Sequence, residues 1–357
     1  MMKYYMVTTT KFAQQCLEYS TYGATQSNWL ANVDIGDTIF LSQFNYKTQQ
    51  IFGPFNVAKR MFYNKAVIYP TQKYFYRIQF SPINTIYAIE ETDLYLRGVQ
   101  RGDVDFHSKL INLIQQNKHL HCISLTDKEG AAIFGTLREL GTTYDNSAQK
   151  MLDQGVVEVN REYIWQKNKL DKKYKFASES DLETYMLLSL KSKNNYEYQA
   201  FNEILTNWSG SSLANSTIYN QFIFGNAYPA DIVVVNDDSI NVFELKRDSL
   251  TNSITNQIEK EIRKHLYYSL LSERVAQEKP FKAFNFYLVC LYEGDQKTKS
   301  SISSIYEALE KRIRYARKNN LIFLEYELKD DRLSLFPAWL MWILIVFFGE
   351  FYGVPIC

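Results

Sequence analysis

Three charged side chains stand at the ends of two apolar stretches that a short polar turn separates. The first stretch, DIVVVN, opens on Asp231, and the second, INVFELK, closes on Glu244 and Lys246. Because side chains alternate between the two faces of a strand, Glu244 and Lys246 point to the same face. Twelve residues separate Asp231 from Glu244, the length of one strand, a tight turn and a returning strand. We therefore expect the two carboxylates to meet at one end of a β-hairpin.

Such a cluster would suit a divalent cation and a phosphate ester. Two carboxylates and a backbone carbonyl are hard oxygen ligands of the kind that Mg²⁺ and Mn²⁺ prefer. A cation there lowers the pKa of a bound water and stabilises charge on phosphate oxygens, while Lys246 orients that water or neutralises developing charge. A plainer interpretation is also open, in which Asp231 caps a strand and Glu244 and Lys246 form an ion pair on a solvated edge.

The elements around these residues predict an α/β layer. From Ser178 onward the pattern is helix, strand, strand, strand, helix, strand, helix and strand, which places a mixed sheet in the core. The predicted helices lie at Asp181–Leu190, Ala200–Trp208, Ile254–Leu270 and Ser304–Asn319, and the predicted strands at Thr217–Gly225, Asp231–Asn236, Ile240–Lys246, Ala283–Tyr292 and Leu321–Leu328.

The motif and its element order together resemble the PD-(D/E)xK nuclease superfamily. The motif reads PAD, twelve residues, then ELK, and the wider match over SESDLETYMLLSL, YPADIVVVNDDSINVFELKRD and NQIEKEI is similar to the NucS-like (EndoMS-like) branch. The likeness covers about Ser178–Leu328 and implies a restriction-endonuclease-like αβββαβ core. It also implies that Asp231 and Glu244 hold Mg²⁺ or Mn²⁺ and that Lys246 assists attack on a phosphodiester.

Two further residues take roles from the same resemblance. Such nucleases offer another acid on the opening helix, which Glu183 matches as a third metal ligand, and a glutamine on the helix after the ELK motif, which Gln257 matches. Each residue also has a structural interpretation. Ser180 and Glu183 have the spacing of a capping box, and Gln257 borders the apolar stripe of its predicted helix.

The first part of the chain, to about Thr142, is rich in strand patterns. Strands are predicted at Asp37–Asn45, Gln49–Ala58 and Lys73–Phe80, and helices at His107–Gln116 and Thr126–Leu140, where Thr126 and Glu129 have capping-box spacing. The segment QQCLEYSTYGATQSNWLANVDIGDTIFLSQFNYKTQQIFGPFNVA resembles the PUA-like superfamily, nearest to DCD domains, and YGATQSN is similar to the related YTH and EVE families. The likeness implies a β-barrel domain that recognises nucleic acid.

An aromatic pocket follows from the same likeness. YTH and EVE relatives hold a modified base between aromatic rings after it has turned out of its stack, which implies that Tyr22 and Trp29 form such a pocket here. The sequence departs from YTH at Gly23, which stands at about the place of the expected tryptophan. The alternative is that Tyr22 and Trp29 are ordinary core aromatics.

A connector spans about Thr143–Phe176. Its second half, REYIWQKNKLDKKYK, carries six lysines and arginines against two acids. Within it, Lys172 and Lys173 are candidates for phosphate contact, which counterion release would favour; the alternative is a solvated linker. Because the formal net charge of the whole chain is only +1, a nucleic-acid contact has to come from a local patch of this kind.

The chain is expected to contain a recognition domain at 1–142, a basic linker at 143–176, a nuclease domain at 177–332 and a hydrophobic tail at 333–357. No residue from Leu333 to Gly349 is charged. A membrane anchor, an apolar segment docked on the protein or a partner, and a sequence outside its native frame therefore all stay open. Scattered cysteines and an N-terminus without the apolar core of a signal peptide favour a cytoplasmic protein.

The two resemblances together give the leading hypothesis. A nucleic-acid reader joined to a Mg²⁺- or Mn²⁺-dependent endonuclease makes a modification-dependent restriction or defence enzyme that acts on DNA. One alternative is a NucS-like repair endonuclease on mismatched or branched DNA. Another is a nucleic-acid-binding protein with an inactive nuclease fold, tethered by its apolar tail. The expected partners are DNA and a second copy of the chain, with a membrane or protein contact through Leu333–Cys357 left open.

Overall fold

The computed structural model describes residues 2–44, 49–70, 73–145, 150, 152, 154–169, 175–224, 229–248, 274, 283–292, 319–329 and 332–337. The chain divides into two compact units, Met1–Tyr163 and Ile164–Cys357. Each unit contains one mixed sheet with helices, and one of the two sheets is curled into a half-barrel. The predicted mixed α/β architecture is therefore confirmed, and the sheets of both units are mixed.

The first unit is built on long strands. Its described strands are β1 (Tyr4–Thr9), β2 (Thr21–Ala24), β3 (Thr38–Phe44), β4 (Gln49–Tyr63), β5 (Tyr76–Glu90), β6 (Cys122–Leu125), β7 (Thr142–Thr143) and β8 (Val157–Glu158). They pair in the order β2-β5-β4-β3-β1-β6, with β7 on β5 and β8 on β4. Only the β1–β3 pair is parallel among these described strands. Register shifts interrupt the pairing of β4 with β5 at three places.

Helices accompany this sheet, and one of them confirms a predicted cap. They are α1 (Ala13–Glu18), α2 (Glu91–Arg101), α3 (Val104–Gln116) and α4 (Asp127–Leu140). At the start of α4, the Thr126 amide donates to Glu129 Oε2 at 2.9 Å, and the Glu129 amide donates to Thr126 Oγ1 at 3.4 Å. The predicted capping box is therefore present. The predicted strand at Lys73–Phe80 begins later, at Tyr76, and continues to Glu90.

The second unit has a six-stranded sheet in its described part. Its elements are α5 (Arg161–Lys169), which begins just before the unit boundary, α6 (Glu179–Ser189), α7 (Tyr196–Ser209), β9 (Thr217–Phe222), β10 (Ala230–Val235), β11 (Ser239–Leu245), β12 (Ala283–Leu291), β13 (Asn319–Lys329) and β14 (Arg332–Pro337). The strand order is β14-β13-β12-β11-β10-β9. β12 is parallel to β11 and β13, and the other pairs are antiparallel.

Strand β11 lies in the middle of this sheet and is buried along its whole length. The Phe243 ring contacts the Phe201 ring of α7 at a centroid distance of 4.2 Å and stacks on Tyr287 of β12 at 4.3 Å. Aromatic packing of this kind contributes beyond simple area burial. It fixes the face on which Phe243 lies, so Glu244 next to it points to the opposite face.

The predicted strands of the second unit are confirmed in type, but the sequence pattern did not predict one further strand. β14 uses the first residues of the stretch expected to be an apolar tail, and its Leu333 is fully buried. The stretch expected to be a basic linker contains β8 and the whole of α5. The predicted helices at Ile254–Leu270 and Ser304–Asn319 lie outside the described residues, apart from Asn319, which begins β13.

In the described part of the chain, no helix combines the length and the apolar character needed to cross a membrane. Residues 338–357, which contain most of the expected tail, lie outside that part.

Candidate functional site

Asp231 and Glu244 meet at one end of the β10–β11 hairpin, as the spacing predicts. In this antiparallel pair, Ile232 lies opposite Phe243, so Asp231 and Glu244 follow one position farther along. The carboxylate Oδ2 of Asp231 accepts a hydrogen bond from the Leu245 amide at 2.8 Å. The backbone that carries Glu244 therefore also fixes the orientation of the Asp231 side chain.

Electrostatics of this end of the sheet are unfavourable for a second negative charge. Burial, and after it the nearby Glu244 carboxylate, raise the pKa of Asp231 to about 8. Lys246 opposes that shift, and so does the hydrogen bond from the Leu245 amide. Glu244 itself is only 2% exposed. The two acids thus share a buried space in which one ionised group discourages ionisation of the other.

Lys246 lies beside Glu244, on the same face as expected. Its Nζ atom is 3.0 Å from Glu244 Oε1 and 3.5 Å from Glu179 Oε1, a half-exposed acid in the first turn of α6. The alternative of an ion pair on a solvated edge is wrong, because Glu244 is buried and β11 has a partner strand on each side.

Glu183 joins this cluster from α6. The helix begins two residues earlier than the predicted capping box requires: Ser178 is its N-cap, and Ser178 Oγ accepts from the Asp181 amide at 3.1 Å. The capping-box interpretation of Ser180 and Glu183 is therefore wrong. Glu183 lies in the second turn, is 2% exposed, and turns its carboxylate toward β9 and β10.

A residue that the sequence reasoning missed holds the cluster together. Gln221 of β9 donates from one atom, Nε2, to Glu183 Oε1 at 2.9 Å, to Glu183 Oε2 at 2.8 Å and to Asp231 Oδ1 at 3.2 Å. The available signal was weak: Asn220 and Gln221 are two polar residues inside an otherwise apolar and aromatic strand end. Only the pairing of β9 with β10 brings Gln221 to Asp231.

The other residues predicted for the site add no ligand to the described cluster. Gln257, Lys172 and Lys173 lie outside the described residues. Within the described ranges, no set of three or more acidic, histidine or cysteine side chains is arranged to hold a metal ion directly. The donor chemistry of Glu183, Asp231 and Glu244 suits Mg²⁺ or Mn²⁺, but an amide nitrogen lies among the oxygens of the first two.

The first unit contains a pocket of about 110 Å³. Tyr22 lines it, as predicted, but the tyrosine is 2% exposed. Its hydroxyl oxygen lies 2.8 Å from the Thr8 carbonyl and 2.7 Å from the His121 carbonyl, and these two acceptors share its single proton. Trp29 is not among the lining residues; its ring packs edge-on against His121 at a centroid distance of 5.9 Å. Tyr22 therefore braces the pocket, and Trp29 supports one of its walls.

Other aromatic residues that the sequence reasoning did not single out form the walls. Phe12, Tyr69, Tyr74 and His121 line the pocket, and the Tyr74 and His121 rings meet at 5.7 Å. Burial lowers the pKa of His121 to about 4, so its ring is neutral near pH 7. The Thr8 hydroxyl also belongs to this region; it is buried and has no hydrogen-bond partner among the described residues.

Gly23 has a packing role in the same pocket. A Cβ atom at this position would lie 2.8 Å from the Tyr74 Cβ and 3.0 Å from the Tyr74 carbonyl oxygen. Real Cβ atoms do not approach other atoms that closely, so a tryptophan at position 23 would displace Tyr74. The absence of a side chain at Gly23 therefore leaves room for Tyr74 as a wall of the pocket.

Comparison of the chain with protein families, with curated proteins and with solved structures finds no match.

Proposed function

We propose that the second unit is a metal-dependent endonuclease of the PD-(D/E)xK type, which hydrolyses phosphodiester bonds in DNA with Mg²⁺ or Mn²⁺. The observation that carries the proposal is the convergence of Glu183 and Asp231 on one atom, with Glu244 and Lys246 beside them on the next strand. Gathering buried like charges costs stability. A cation bound between the carboxylates would offset that cost.

The residues that would hold the ion are Glu183, Asp231 and Glu244, since all three present carboxylate oxygens. When bound, the ion supplies an acidified water and positive charge near phosphate oxygens. The chain contributes the position and ionisation of its acids. Because the pKa of Asp231 is about 8 even beside Lys246, its ionisation near neutral pH requires a further positive charge, which a bound cation would supply.

Lys246 would neutralise charge on the phosphate. Its ammonium is mostly buried and forms ion pairs with Glu244 and Glu179. Glu179 is the more exposed of these two partners. An arriving phosphate oxygen can therefore replace Glu179 as the second anion beside Lys246 without disturbing the contact to Glu244.

In the same proposal the first unit is a PUA-like reader of a modified base. Its pocket has a volume of about 110 Å³. Walls from Phe12, Tyr69, Tyr74 and His121 offer ring faces and edges to a flat heterocycle. The combined activity is modification-dependent restriction or defence, in which the reader selects the DNA that the nuclease cuts.

The test compares the wild type with Asp231→Ala and a matched control. Asp237→Ala makes the same chemical change in the exposed turn of the same hairpin. Each protein is incubated with Mg²⁺ or Mn²⁺ and with plasmids that carry modified or ordinary bases, and with an unmodified plasmid that contains mismatches. We expect the wild type and the control to cut modified DNA, and Asp231→Ala to lose cleavage by about 10³-fold or more while it still binds the DNA.

Equal cleavage by the Asp231 variant would remove the catalytic assignment. Cutting confined to the mismatched plasmid would favour a repair endonuclease over a restriction enzyme. Binding of DNA without cleavage by the wild type at any concentration of either ion would favour an inactive nuclease fold.

A further inference from the structure

Gln221, whose side chain lies in the acidic cluster, has an unusual backbone conformation. Its φ angle is +47°, a left-handed region that costs free energy for residues other than glycine. Asn220, Gln221 and Phe222 are buried in succession, although a regular strand would alternate its faces. The side chain is 6% exposed. A strained conformation in a buried position indicates that the surrounding contacts of Gln221 hold it there.

The Gln221 nitrogen has more acceptors than it has hydrogens. Three carboxylate oxygens, two from Glu183 and one from Asp231, lie within 3.2 Å of Nε2. An amide NH₂ group has two hydrogens and no net charge. It therefore satisfies the carboxylates in part but cannot neutralise them. A small cation in the position of Nε2 would be surrounded by the same oxygens of Glu183 and Asp231.

We propose that the Gln221 amide is a placeholder for the metal ion. Nε2 holds Glu183 and Asp231 together when no ion is bound, and an ion enters only after this group has turned away. The inference rests on the proposed metal site and adds a determinant of its affinity. Gln221 is thus a positioning residue, because it acts through the two acids and not on the reacting phosphate.

Competition for the same oxygens sets the direction of the effect. Hydrogen bonds from an amide to a carboxylate are each worth at least about a tenfold factor in an equilibrium constant. An ion that displaces Nε2 has to break them, which weakens its apparent affinity in the wild type. Removal of the amide eliminates this competitor and leaves the carboxylates in place. Affinity for the ion should then rise, while the metal-free protein loses stability.

The experiment measures Mn²⁺ binding by calorimetry, together with the thermal midpoint with and without Mn²⁺. The variants are Gln221→Ala and Gln221→Asn; asparagine tolerates the left-handed backbone and withdraws the amide by one methylene. Gln199→Ala, at an exposed glutamine of α7, is the matched control. We expect Gln221→Ala to bind Mn²⁺ at least about tenfold more tightly than the wild type, with Gln221→Asn intermediate and Gln199→Ala unchanged. Without Mn²⁺ both Gln221 variants should melt earlier.

Affinity equal to or below that of the wild type in either Gln221 variant would overturn the placeholder, even if the wild type binds Mn²⁺. In that case the metal site stands by itself, provided that Asp231→Ala abolishes the binding. If neither the wild type nor the variants bind Mn²⁺, the proposed metal site fails and the inference fails with it. If Gln221→Ala does not fold, Gln221→Asn decides by the same criterion.

Discussion

The acidic cluster of the second unit and the aromatic pocket of the first unit both gather polar groups in a buried place, but they solve opposite problems. At the acidic cluster, Glu183, Asp231 and Glu244 bring more negative charge than the interior tolerates, and the amide of Gln221 fills its centre. The pocket keeps a volume of about 110 Å³ and a neutral His121. Charge therefore constrains the acidic cluster of the second unit, whereas shape defines the aromatic pocket of the first unit.

The largest expected consequence of this difference concerns stability: the contributions of Asp231 and His121 to the free energy of unfolding should depend on pH in opposite directions. Asp231 has a folded-state pKa of about 8 against an ordinary value of 3.8, so the folded protein binds more protons than the unfolded chain between these values. Its contribution to the free energy of unfolding therefore falls as pH rises from about 4 to about 8. His121 has a folded-state pKa of about 4 against 6.5, so its contribution falls as pH drops from 6.5 to 4, by about 3 kcal/mol at most.

Urea denaturation as a function of pH checks both directions. Asp231→Asn should remove most of the loss of stability on the alkaline side, and His121→Asn should remove part of the loss on the acid side. Each variant serves as the control for the other, because the two residues belong to different units. If both substitutions changed stability on the same side of the pH profile, the opposite pH dependences expected for the acidic cluster and the pocket would be wrong.

A smaller effect is expected from Gly23→Ala, which tests whether shape defines the pocket. The added methyl group would lie 2.8 Å from the Tyr74 Cβ, so the wall must move. Overpacking of this kind typically costs about 1–3 kcal/mol. Urea denaturation should show that loss, and Gln26→Ala, at an exposed position of the neighbouring loop, should have little effect. Unchanged stability in Gly23→Ala would mean that the pocket is not tightly built.

The two places also differ in how far the sequence predicts them. Asp231, Glu244 and Lys246 are close in sequence, and strand alternation with a hairpin of the right length suffices to bring them together. Glu183 could be assigned only through a resemblance, because its own spacing equally suits a helix cap. Gln221 required the register between β9 and β10, which no local pattern contains.

The pocket was predicted less well because its walls come from distant parts of the chain. Tyr22 and Trp29 are neighbours in sequence, but Phe12, Tyr74 and His121 reach the pocket from three other segments. Aromatic residues are frequent throughout this chain, so their type alone does not distinguish a wall from a core position. Strand β14 escaped for a related reason: an uncharged run is compatible with a sheet edge and with a tail.

Thr8→Val is expected to have the smallest effect, and it tests whether the pocket contains a buried polar group without a hydrogen-bond partner. The Thr8 hydroxyl is buried without a hydrogen-bond partner among the described residues, and a group in that state costs stability until a partner arrives. A methyl group in its place should raise the free energy of unfolding by about 1 kcal/mol. Thr10→Val, at an exposed residue of the same pocket rim, should not. Loss of stability in Thr8→Val would instead show that the hydroxyl is already satisfied.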